Sequence, residues 1–436
     1  MSGVSRGLDR VGVTFDDPNL VANAGLLLAA TLSTRLGIAM IVEQLVDLRD
    51  RVGGAHPGRK VLTLVHMIVA GGSHIDHADV LRSGGTARVL GHRVMAPSTL
   101  GTFLRAFTFG HVRQLEAVVG KVLERAWSLG AGPGDGRLVV DVDSTICEVE
   151  GKKKQGAAYG YTKVLGYHPI LASRADNGEI LHARMRKGSA NTARGARRFI
   201  NELVARLRRA GALGEIVMRF DSGFWSNDTI AVLGRLKVRY TMGVRTNNRY
   251  IAAAIAAIDP DAWVDIDYTP DGQAQVAECD YRGRRLIVRR TRLTDPAQAR
   301  LWPDWRHHGF LTDLDGDTVE LDAFHRAHAT VELAIRDLKE GAGLEHVPSG
   351  RFMANSAWLQ CAVLAHNLIR WTATIAQPGP VDQLSVSRTI RLRLVAIPAR
   401  IVNRSGAITL RGPARWPWRQ LFTLRLNTIR ALPAPG

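Results

Sequence analysis

Apolar and polar residues follow a helical period through roughly the first third of the chain. In the stretch APSTLGTFLRAFTFGHVRQLEAVVGKVLERAW (96–127), Pro97 and Ser98 form a typical helix start, and apolar residues then recur three and four positions apart. The same spacing runs from about residue 18 to residue 128. Short helices joined by glycine-rich turns are typical of a helix-turn-helix module and equally of a plain helical bundle, so both interpretations stay open.

The pattern changes after a glycine-rich segment, GAGPGDGR (130–137), which is the clearest predicted linker. Short apolar runs then predict a series of strands, and two amphipathic segments between them predict helices. The predicted strands are LVVDVDST, HPILASR, EILHARMR, EIVMRFDSGF and VRYTMGV, and the predicted helices are ANTARGARRFINELVARLRRAG and NDTIAVLGRLK. Strands followed by alternating helices and strands favour an α/β fold with a mixed sheet.

A third pattern occupies residues 247–312. Its short alternating runs WVDIDYTP, AQVAECDY and RRLIVRRTRL are separated by Asp-Gly and Arg-Gly turns, which predicts a β-rich insertion. Helical spacing returns in LDAFHRAHATVELAIRDLKEG and again in ANSAWLQCAVLAHNLIRWTATIA. The predicted insertion therefore lies between the last predicted strand of the sheet and two further helices.

The charge of the chain points to a polyanionic partner. Lysine and arginine together number 58 and aspartate and glutamate 40 among 436 residues, which gives a net charge of +18. An excess of this size is typical of proteins that bind nucleic acid. A high-GC genome would explain a preference for arginine over lysine, but it would not explain the small number of acids.

The C-terminal tail, residues 381–436, carries this excess most clearly, because it has ten arginines and no acid after Asp382. A single sign of charge over so long a stretch favours contact with phosphates. The alternative is a docked tail whose arginines pair with acids elsewhere in the chain. Within the tail, ARIVNRSGAITLRGP predicts a hairpin with its turn at residues 404–406.

Cysteine content and hydropathy indicate the cellular compartment of the protein. Cys147, Cys279 and Cys361 are far apart and form no CxxC motif, which argues against a disulfide framework or a cysteine zinc site and favours a reducing compartment. The apolar stretch at residues 20–46 is interrupted by Asn23, Thr34 and Arg35, so it falls short of the roughly 18 apolar residues that span a bilayer. We expect a cytoplasmic, nucleoid-associated protein that does not bind membranes.

Two carboxylates lie close together in the predicted strand LVVDVDST. Residues i and i+2 of a strand face the same way, so Asp141 and Asp143 share one face and Val140 and Val142 share the other. Two carboxylates on a buried face are costly unless a cation or hydrogen-bond donors compensate them. A divalent metal ion is an efficient compensator, because hard cations prefer carboxylate oxygens.

Two further acids could join them. Asp221 follows the strand in RFDSGF and would lie at the carboxyl edge of the sheet, where α/β proteins place their sites. Glu332 belongs to a predicted helix whose polar stripe consists of His325, His328, Glu332, Arg336 and Lys339, opposite the apolar Val331, Ile335 and Leu338. Such a stripe is usually the solvated side of a helix, but isolated acids in a basic chain favour a site. Two metal ions about 3.5–4 Å apart, held by carboxylates, suit displacement at phosphorus.

The stretches DVDST, RFDSGF, TVELAIRDLKEG and ANSAWLQCAVLAHNLIRW together resemble bacterial insertion-sequence transposases of the Asp-Asp-Glu type, which have a ribonuclease-H-like core. More narrowly, the chain is similar to the group with a β-strand insertion before the glutamate helix and a Tyr-x2-Arg-x3-Glu-x6-Lys motif. With the IPARIV and WPW segments of the tail, the resemblance covers about residues 20 to 420.

This resemblance implies that Asp143, Asp221 and Glu332 are catalytic and bind Mg²⁺, with Mn²⁺ as a possible substitute. It selects Asp143 over Asp141 because Ser144 and Thr145 follow it. It also implies binding of double-stranded DNA at element ends and at the target, a homodimer in the DNA complex, and cleavage that favours a hairpin route.

The motif positions that contact DNA are partly changed in this chain. Lys339 matches the motif lysine, but the tyrosine position holds His325 and the arginine position holds His328. A permanent guanidinium is therefore lost, and Arg326 and Arg336 are candidates to replace it in DNA binding. The base-stacking tryptophan of the family has three candidates, any of which could equally be a core or rim residue; they are Trp263, Trp302 and Trp305.

The predicted division of the chain combines these observations. It has an N-terminal helical DNA-binding domain at 1–130, a ribonuclease-H-like catalytic core at 137–246 and 313–380, a β-rich insertion at 247–312 and a basic tail at 381–436. The predicted function is cut-and-paste transposition. The alternatives are a ribonuclease-H-like nuclease without strand transfer and a non-catalytic DNA-binding regulator derived from a transposase.

Overall fold

The computed structural model describes residues 8–48, 50–160, 162–268, 272–293, 305–375 and 386–435. Every predicted catalytic and DNA-binding residue is among them, whereas Trp302 lies outside the described residues. Within these ranges, no single helix has the length and apolar composition needed to cross a membrane; one pair of helices, Leu26–Arg35 and Ile38–Leu45, meets that test only jointly, across a bend of 53°.

The N-terminal part is helical, as predicted. Its α-helices are α1 (Leu26–Arg35), α2 (Ile38–Leu45), α3 (Pro57–Val69), α4 (Ala78–Arg82), α5 (Thr86–Leu90), α6 (Pro97–Ala106) and α7 (Phe109–Ala126). Helix α7 starts at a capping box in which Thr108 and His111 satisfy each other's backbone N–H groups. Helices α3 and α7 pack against a long helix from the other end of the chain, α13 (Phe352–Thr374), which is buried along most of its length.

After the linker, strands and helices alternate around one large sheet. The strands of this region are β2 (Leu138–Ser144), β3 (Cys147–Glu148), β4 (Ala158–Tyr159), β5 (Leu165–Tyr167), β6 (Ile170–Arg174), β7 (Ile180–Arg184), β8 (Ile216–Phe220) and β9 (Arg239–Val244). Its helices are α8 (Ala196–Ala210) and α9 (Asn227–Arg235). Strands β3, β5 and β4 form a small separate sheet beside the end of β2.

The large sheet has nine strands in the described residues, in the order β10-β11-β12-β13-β9-β8-β2-β6-β7. Strands β2, β8 and β9 run parallel, whereas β6 is antiparallel to both β2 and β7. This order and these directions are those of a ribonuclease-H-like sheet, and the predicted α/β fold is therefore confirmed. The remaining strands are β10 (Val264–Asp265), β11 (Gly272–Asp280), β12 (Arg285–Leu293) and β13 (Arg306–Thr312).

The β-rich segment is not a separate body, because β13 pairs with β9 and so continues the large sheet. Its strands β11 and β12 are confirmed, and the segment also contains a helix that the sequence pattern does not predict. Residues Arg249–Ala256 form helix α10, in which the Asn248 side chain accepts from the Tyr250 N–H and Ile251 and Ile255 are buried. Because only these two positions of a short alanine-rich helix are buried, its sequence has little helical periodicity to detect.

The helix that carries Glu332 is interrupted. It consists of α11 (Thr318–Arg326), a 3₁₀ turn at Ala327–Ala329, α12 (Thr330–Arg336) and a π-helical turn at Asp337–Gly341. The predicted apolar face is confirmed, since Val331, Ile335 and Leu338 are all buried. Turns of these types are frequent at functional sites.

The tail is docked, as the alternative interpretation expected. The predicted hairpin is confirmed as β14 (Ala399–Arg404) and β15 (Ala407–Arg411), and β14 pairs with β1 (Leu20–Val21) near the N-terminus. The tail also contains the four-residue helix α14 (Ser387–Ile390), a π-helical turn at Arg391–Val395 and the longer helix α15 (Arg419–Ala431), which packs against α1. Arg400 pairs with Asp17 at 3.2 Å, while Arg404 and Arg411 are exposed.

One hydrophobic core extends through the helices before the linker and the strands after it. It includes Leu26 of α1, Val140 of β2 and Ile429 of α15, all shielded from solvent. The linker thus marks a change of secondary structure inside a continuous core, and the division into five parts stays a prediction.

Candidate functional site

The site is built on the parallel pair β2 and β8. In this pair Asp141 lies opposite Arg219 and Val142 opposite Phe220. Asp143 and Asp221 come next, each where its strand reaches the carboxyl edge. The tripeptides Asp-Val-Asp and Arg-Phe-Asp therefore lie side by side. Asp141 and Arg219 form an oppositely charged pair at their first position, and Asp143 and Asp221 are the acids at their last position.

Asp141 has its charge fully compensated inside the protein. Its side chain is buried, and its two oxygens accept from the Nε and Nη2 atoms of Arg219 at 2.7 and 2.8 Å. A third bond comes from His328, whose Nδ1 lies 2.7 Å from Asp141 Oδ1. A paired guanidinium of this geometry is what a buried carboxylate requires, so Asp141 needs no metal ion.

Asp143 and Asp221 are compensated far less. Asp143 Oδ1 accepts from the Ser144 N–H at 2.6 Å, and Asp221 Oδ1 accepts from the Gly223 N–H at 3.0 Å. Burial, together with the charges of Asp221 and Glu332, raises the pKa of Asp143 to about 6 against the opposing effects of Ser144 and His328. Burial also raises the pKa of Asp221. The three acids are thus close enough for their charges to interact.

Glu332 approaches these acids from the helical side. Its side chain is exposed, because the buried Val331 and Ile335 fix the opposite face of α12 against the core. In the described part of the chain, no side-chain donor bonds to Asp143, Asp221 or Glu332. All three carboxylates therefore keep lone pairs for another ligand.

A cleft of about 880 Å³ opens beside the acids. Asp221, Glu332, His325 and His328 lie on its acidic side. Its other walls carry basic and aromatic side chains, namely Arg245, Tyr268, Arg289, His307, His308 and Arg326. A cleft lined by both carboxylates and basic side chains suits a polyanion whose reacting phosphate needs metal ions.

The predicted DNA-binding residues are divided between the cleft and other places. Arg326 lines the cleft, with its Nε 2.8 Å from Asp322 Oδ2 and its guanidinium 4.9 Å from the centre of the Tyr268 ring. Lys339 lies in the π-helical turn and donates to the Ile146 carbonyl at 3.1 Å, just beyond Asp143. Arg336 is exposed and lines a different, smaller pocket of about 280 Å³.

His325 lines the cleft, but its ring is buried and contacts other residues of the protein. Its Nδ1 is 2.7 Å from Thr241 Oγ1, and its ring stacks on Phe310 with ring centres 4.2 Å apart. Burial, together with the nearby charges of His328 and Arg219, lowers the pKa of His325 to about 3. This imidazole is therefore neutral, and its contacts stabilise the cleft wall.

Trp263 and Trp305, the two tryptophan candidates within the described residues, each have an arginine guanidinium packed against the indole ring. The guanidinium of Arg290 lies 4.0 Å from the centre of the Trp263 ring and 4.6 Å from that of Trp305. A base could stack on these indoles only on the opposite face or after Arg290 moves.

Several residues that shape the site were not identified from the sequence. Arg219 compensates Asp141, and the pair Arg289–Asp322, joined at 2.9 Å, supports the basic wall. His168 contacts Ser144 Oγ through Nε2 at 2.9 Å, next to Asp143. Arg219 could have been found by aligning the two strands in parallel, because the spacing of Arg219 and Asp221 repeats that of Asp141 and Asp143.

A second group of possible metal ligands must be distinguished from Asp143, Asp221 and Glu332. Within the described residues, one group of three has its ligand atoms all within 4.8 Å of one another: Glu116, His182 and Glu202. Arg184 Nη2 lies 2.8 Å from Glu116 Oε2, and Arg198 Nε lies 2.8 Å from Glu202 Oε1. Guanidinium groups already occupy the place that a metal ion would take.

The fold and the site define a class: an α/β protein with a mixed ribonuclease-H-like sheet and an acidic edge that faces a basic cleft. The chain matches the family described as "Transposase DDE domain group 1" over residues 5–434, and it belongs to that family. The predicted Asp-Asp-Glu transposase family is thereby confirmed. The narrower bacterial insertion-sequence group, with its tyrosine and arginine motif, stays a prediction.

Other comparisons add less. No curated protein matches the chain. A solved piggyBac transposase synaptic complex with hairpin DNA is similar at 14% identity and a TM-score of 0.43, covering 87% of this chain and 80% of that chain.

Proposed function

We propose that this chain binds the double-stranded DNA ends of its insertion sequence and catalyses strand cleavage and strand transfer, in cut-and-paste transposition. Asp143, Asp221 and Glu332 are the proposed catalytic residues and metal ligands. The observation that carries the proposal is the arrangement of the acids. Asp221 and Glu332 line one cleft together with basic side chains, the charges of both act on Asp143, and the adjacent Asp141 is instead paired with Arg219.

The donor set fits Mg²⁺ or Mn²⁺. All three ligands are carboxylates, which are the preferred ligands of hard divalent cations, and a cation between them would relieve the repulsion that raises the pKa of Asp143. When bound, such ions supply activation of the attacking oxygen and stabilisation of the leaving oxygen.

The chain's own side chains do the binding and orientation. Arg245, Arg289 and Arg326 line the cleft and are the candidates to hold phosphate oxygens there. Lys339 lies beyond Asp143 and would contact the backbone next to the reacting phosphate. The exposed arginines of α8 and of the tail extend this basic surface; they are Arg197, Arg198, Arg208, Arg209, Arg404 and Arg411.

The decisive test is Glu332→Gln in a nicking assay with a labelled element end and Mg²⁺. We expect loss of cleavage with DNA binding retained, because glutamine keeps the size of the side chain but not its charge. Glu340→Gln is the matched control, since Glu340 is also exposed and lies two turns further along the same helical segment. Undiminished cleavage by Glu332→Gln would remove Glu332 from the catalytic set.

The two alternatives give different outcomes in the same assay. A ribonuclease-H-like nuclease would cut the DNA without joining the free 3′ end to a target, so a strand-transfer assay separates it from a transposase. A non-catalytic regulator would bind DNA without metal-dependent cleavage. Inverted repeats on either side of the gene would support transposition, and sedimentation of the DNA complex would test the proposed homodimer.

A further inference from the structure

A loop between β7 and α8, residues 187–195, contacts the ends of both acid-bearing strands. We call it the bridging loop. Backbone pairing of β2 with β8 stops at Val142 and Phe220, so the register of these strands alone does not fix Asp143 and Asp221 against each other. The contacts of the bridging loop supply that connection.

One contact of the bridging loop reaches Asp143 through a buried imidazole. The Ala190 carbonyl oxygen lies 2.7 Å from His168 Nδ1, and since a carbonyl only accepts, Nδ1 donates. In the neutral ring, Nε2 then accepts from the Ser144 hydroxyl, whose oxygen is 2.9 Å away. The N–H of the same serine donates to Asp143 Oδ1 at 2.6 Å. A movement of Ala190 is therefore transmitted to the Asp143 carboxylate along this chain of hydrogen bonds.

A second contact reaches Asp221 by direct packing. The Thr192 side chain lies so close to Gly223 that a Cβ added to this glycine would be 2.9 Å from both Cβ and Cγ2 of the threonine. The Gly223 N–H donates to Asp221 Oδ1 at 3.0 Å. The bridging loop thus presses on the backbone group that orients the Asp221 carboxylate.

Arg186 holds the bridging loop in place from inside the protein. Its side chain is buried, and within the described residues no carboxylate pairs with it. Its donors go to backbone carbonyls instead. Nε donates to His168 at 2.8 Å, and Nη1 donates to three carbonyls of the loop, those of Asn191 at 3.2 Å, Thr192 at 2.8 Å and Arg194 at 3.0 Å. Because a buried guanidinium without a carboxylate is costly, this arrangement favours a fixed loop over a mobile one.

From these contacts, and resting on the proposed function, we infer that the bridging loop holds Asp143 and Asp221 in the relative position that a shared divalent ion requires. Arg186, His168 and Thr192 are positioning residues of that metal site, and they act through the groups that orient the two carboxylates. Changes in such supporting groups typically weaken metal binding by about 10–100-fold.

The link to Asp143 is tested by Mn²⁺ binding to the full-length protein without DNA, measured from the electron paramagnetic resonance signal of the free ion. His168→Ala should weaken Mn²⁺ binding by about tenfold or more, and Ser144→Ala, a smaller change that removes the same link, should act in the same direction. His366→Ala is the matched control, since His366 is also a buried imidazole bonded to a backbone carbonyl, that of Gly178 at 2.9 Å. It should bind Mn²⁺ as wild type does.

The link to Asp221 is tested by a steric exchange in the same assay. In Gly223→Ala the added Cβ meets Thr192, whose carbonyl is held by Arg186 at 2.8 Å. The backbone at position 223 must then move and take its N–H away from Asp221, so we expect about tenfold weaker Mn²⁺ binding. Adding Thr192→Gly removes the opposing Cβ and should restore the affinity.

The outcomes separate this inference from the proposed function. Wild-type Mn²⁺ affinity in either His168→Ala or Gly223→Ala would overturn the positioning role and leave the proposed function standing. So would equal losses of affinity in His168→Ala and His366→Ala, or a Gly223→Ala variant that Thr192→Gly does not restore. A wild type that binds no Mn²⁺, or an unchanged affinity in Asp221→Asn, would instead contradict the proposed metal ligands, and this inference with them.

Discussion

Two clusters of acids in this protein contain similar residues but differ in how their negative charge is compensated. In the first cluster, Asp143, Asp221 and Glu332 are close enough for their charges to interact, and no side-chain cation is bonded to any of them in the described residues. In the junction of α7, β7 and α8, Glu116 and Glu202 are surrounded by Arg113, Arg184 and Arg198. The first cluster remains available to a metal ion, whereas the second is already neutralised by the chain.

The causes of the pKa shifts, and not their size, reflect the same difference. Burial tends to raise the pKa of Glu202, but His182, whose Nε2 lies 3.5 Å away, and the hydrogen bond from Arg198 lower it to about 2. Burial raises the pKa of Glu116 to about 7, with arginines acting in the opposite direction. At Asp143 the neighbouring acids add to the effect of burial instead. Residue types and spacing alone do not distinguish a metal site from an ion-pair network; the source of the compensating positive charge does.

The largest expected effect is on catalysis in the cleft. Asp221→Asn should reduce Mg²⁺-dependent cleavage by about 10³-fold or more, since it removes a ligand charge worth several kcal/mol in the transition state. The fold should be retained, with a melting temperature equal to or above that of wild type, because one of three mutually repelling charges is gone. Cleavage kinetics and circular dichroism together check this; a variant that melts earlier would show that Asp221 is structural.

The second prediction concerns the neutralised cluster, where we expect loss of stability. Glu116→Ala removes one of the two carboxylates that Arg113 and Arg184 share in a buried junction, which should lower the free energy of unfolding by about 3–5 kcal/mol. Denaturant unfolding measures this. Glu124→Ala is the control on the same helix, since its exposed pair with Lys121 at 2.9 Å should contribute at most about 1 kcal/mol. Equal losses in both variants would contradict the comparison.

The sequence predicts one cluster much better than the other. Asp143, Asp221 and Glu332 follow recognisable strand ends and a polar helical stripe, so local patterns find them. Glu116 and Glu202 come from helices far apart in the chain, and only the packing of α7 on α8 joins them to Arg184 of β7. Partners that depend on packing angles leave no local periodicity.

The pair Asp141–Arg219 was only partly predictable from the sequence. The face shared by Asp141 and Asp143 was predictable from the strand period, but the partner of Asp141 depends on the register of β2 against β8. The interruptions of the glutamate helix were not predictable, since the sequence around His328 and Lys339 fits a regular α-helix equally well. Helix α15 was missed because the tail's arginines dominate a segment whose buried residues include only Leu426 and Ile429 among its apolar side chains.

Metal binding gives the third prediction. Added Mg²⁺ should raise the unfolding free energy of wild type by about 1–3 kcal/mol at pH 7.5. Since protons and metal compete for Asp143, whose pKa is raised to about 6, the stabilisation should shrink as the pH falls through 6. Thermal unfolding with Mg²⁺ or with a chelator measures it. Asp221→Asn should lose the effect and Glu202→Gln should keep it; the reverse result would place the metal in the arginine-rich cluster.

The smallest expected effect is on the basic surface of the tail. Arg404 and Arg411 are exposed on β14 and β15, and each should release about one counterion on binding DNA. The double change Arg404→Gln and Arg411→Gln should therefore reduce the slope of log binding constant against log salt by about two, with unchanged stability. Arg82→Gln is the control, because Arg82 is exposed but paired with Asp79 at 2.6 Å. An unchanged slope in the double variant would mean that the tail's charge serves docking onto the N-terminal region and does not reach DNA.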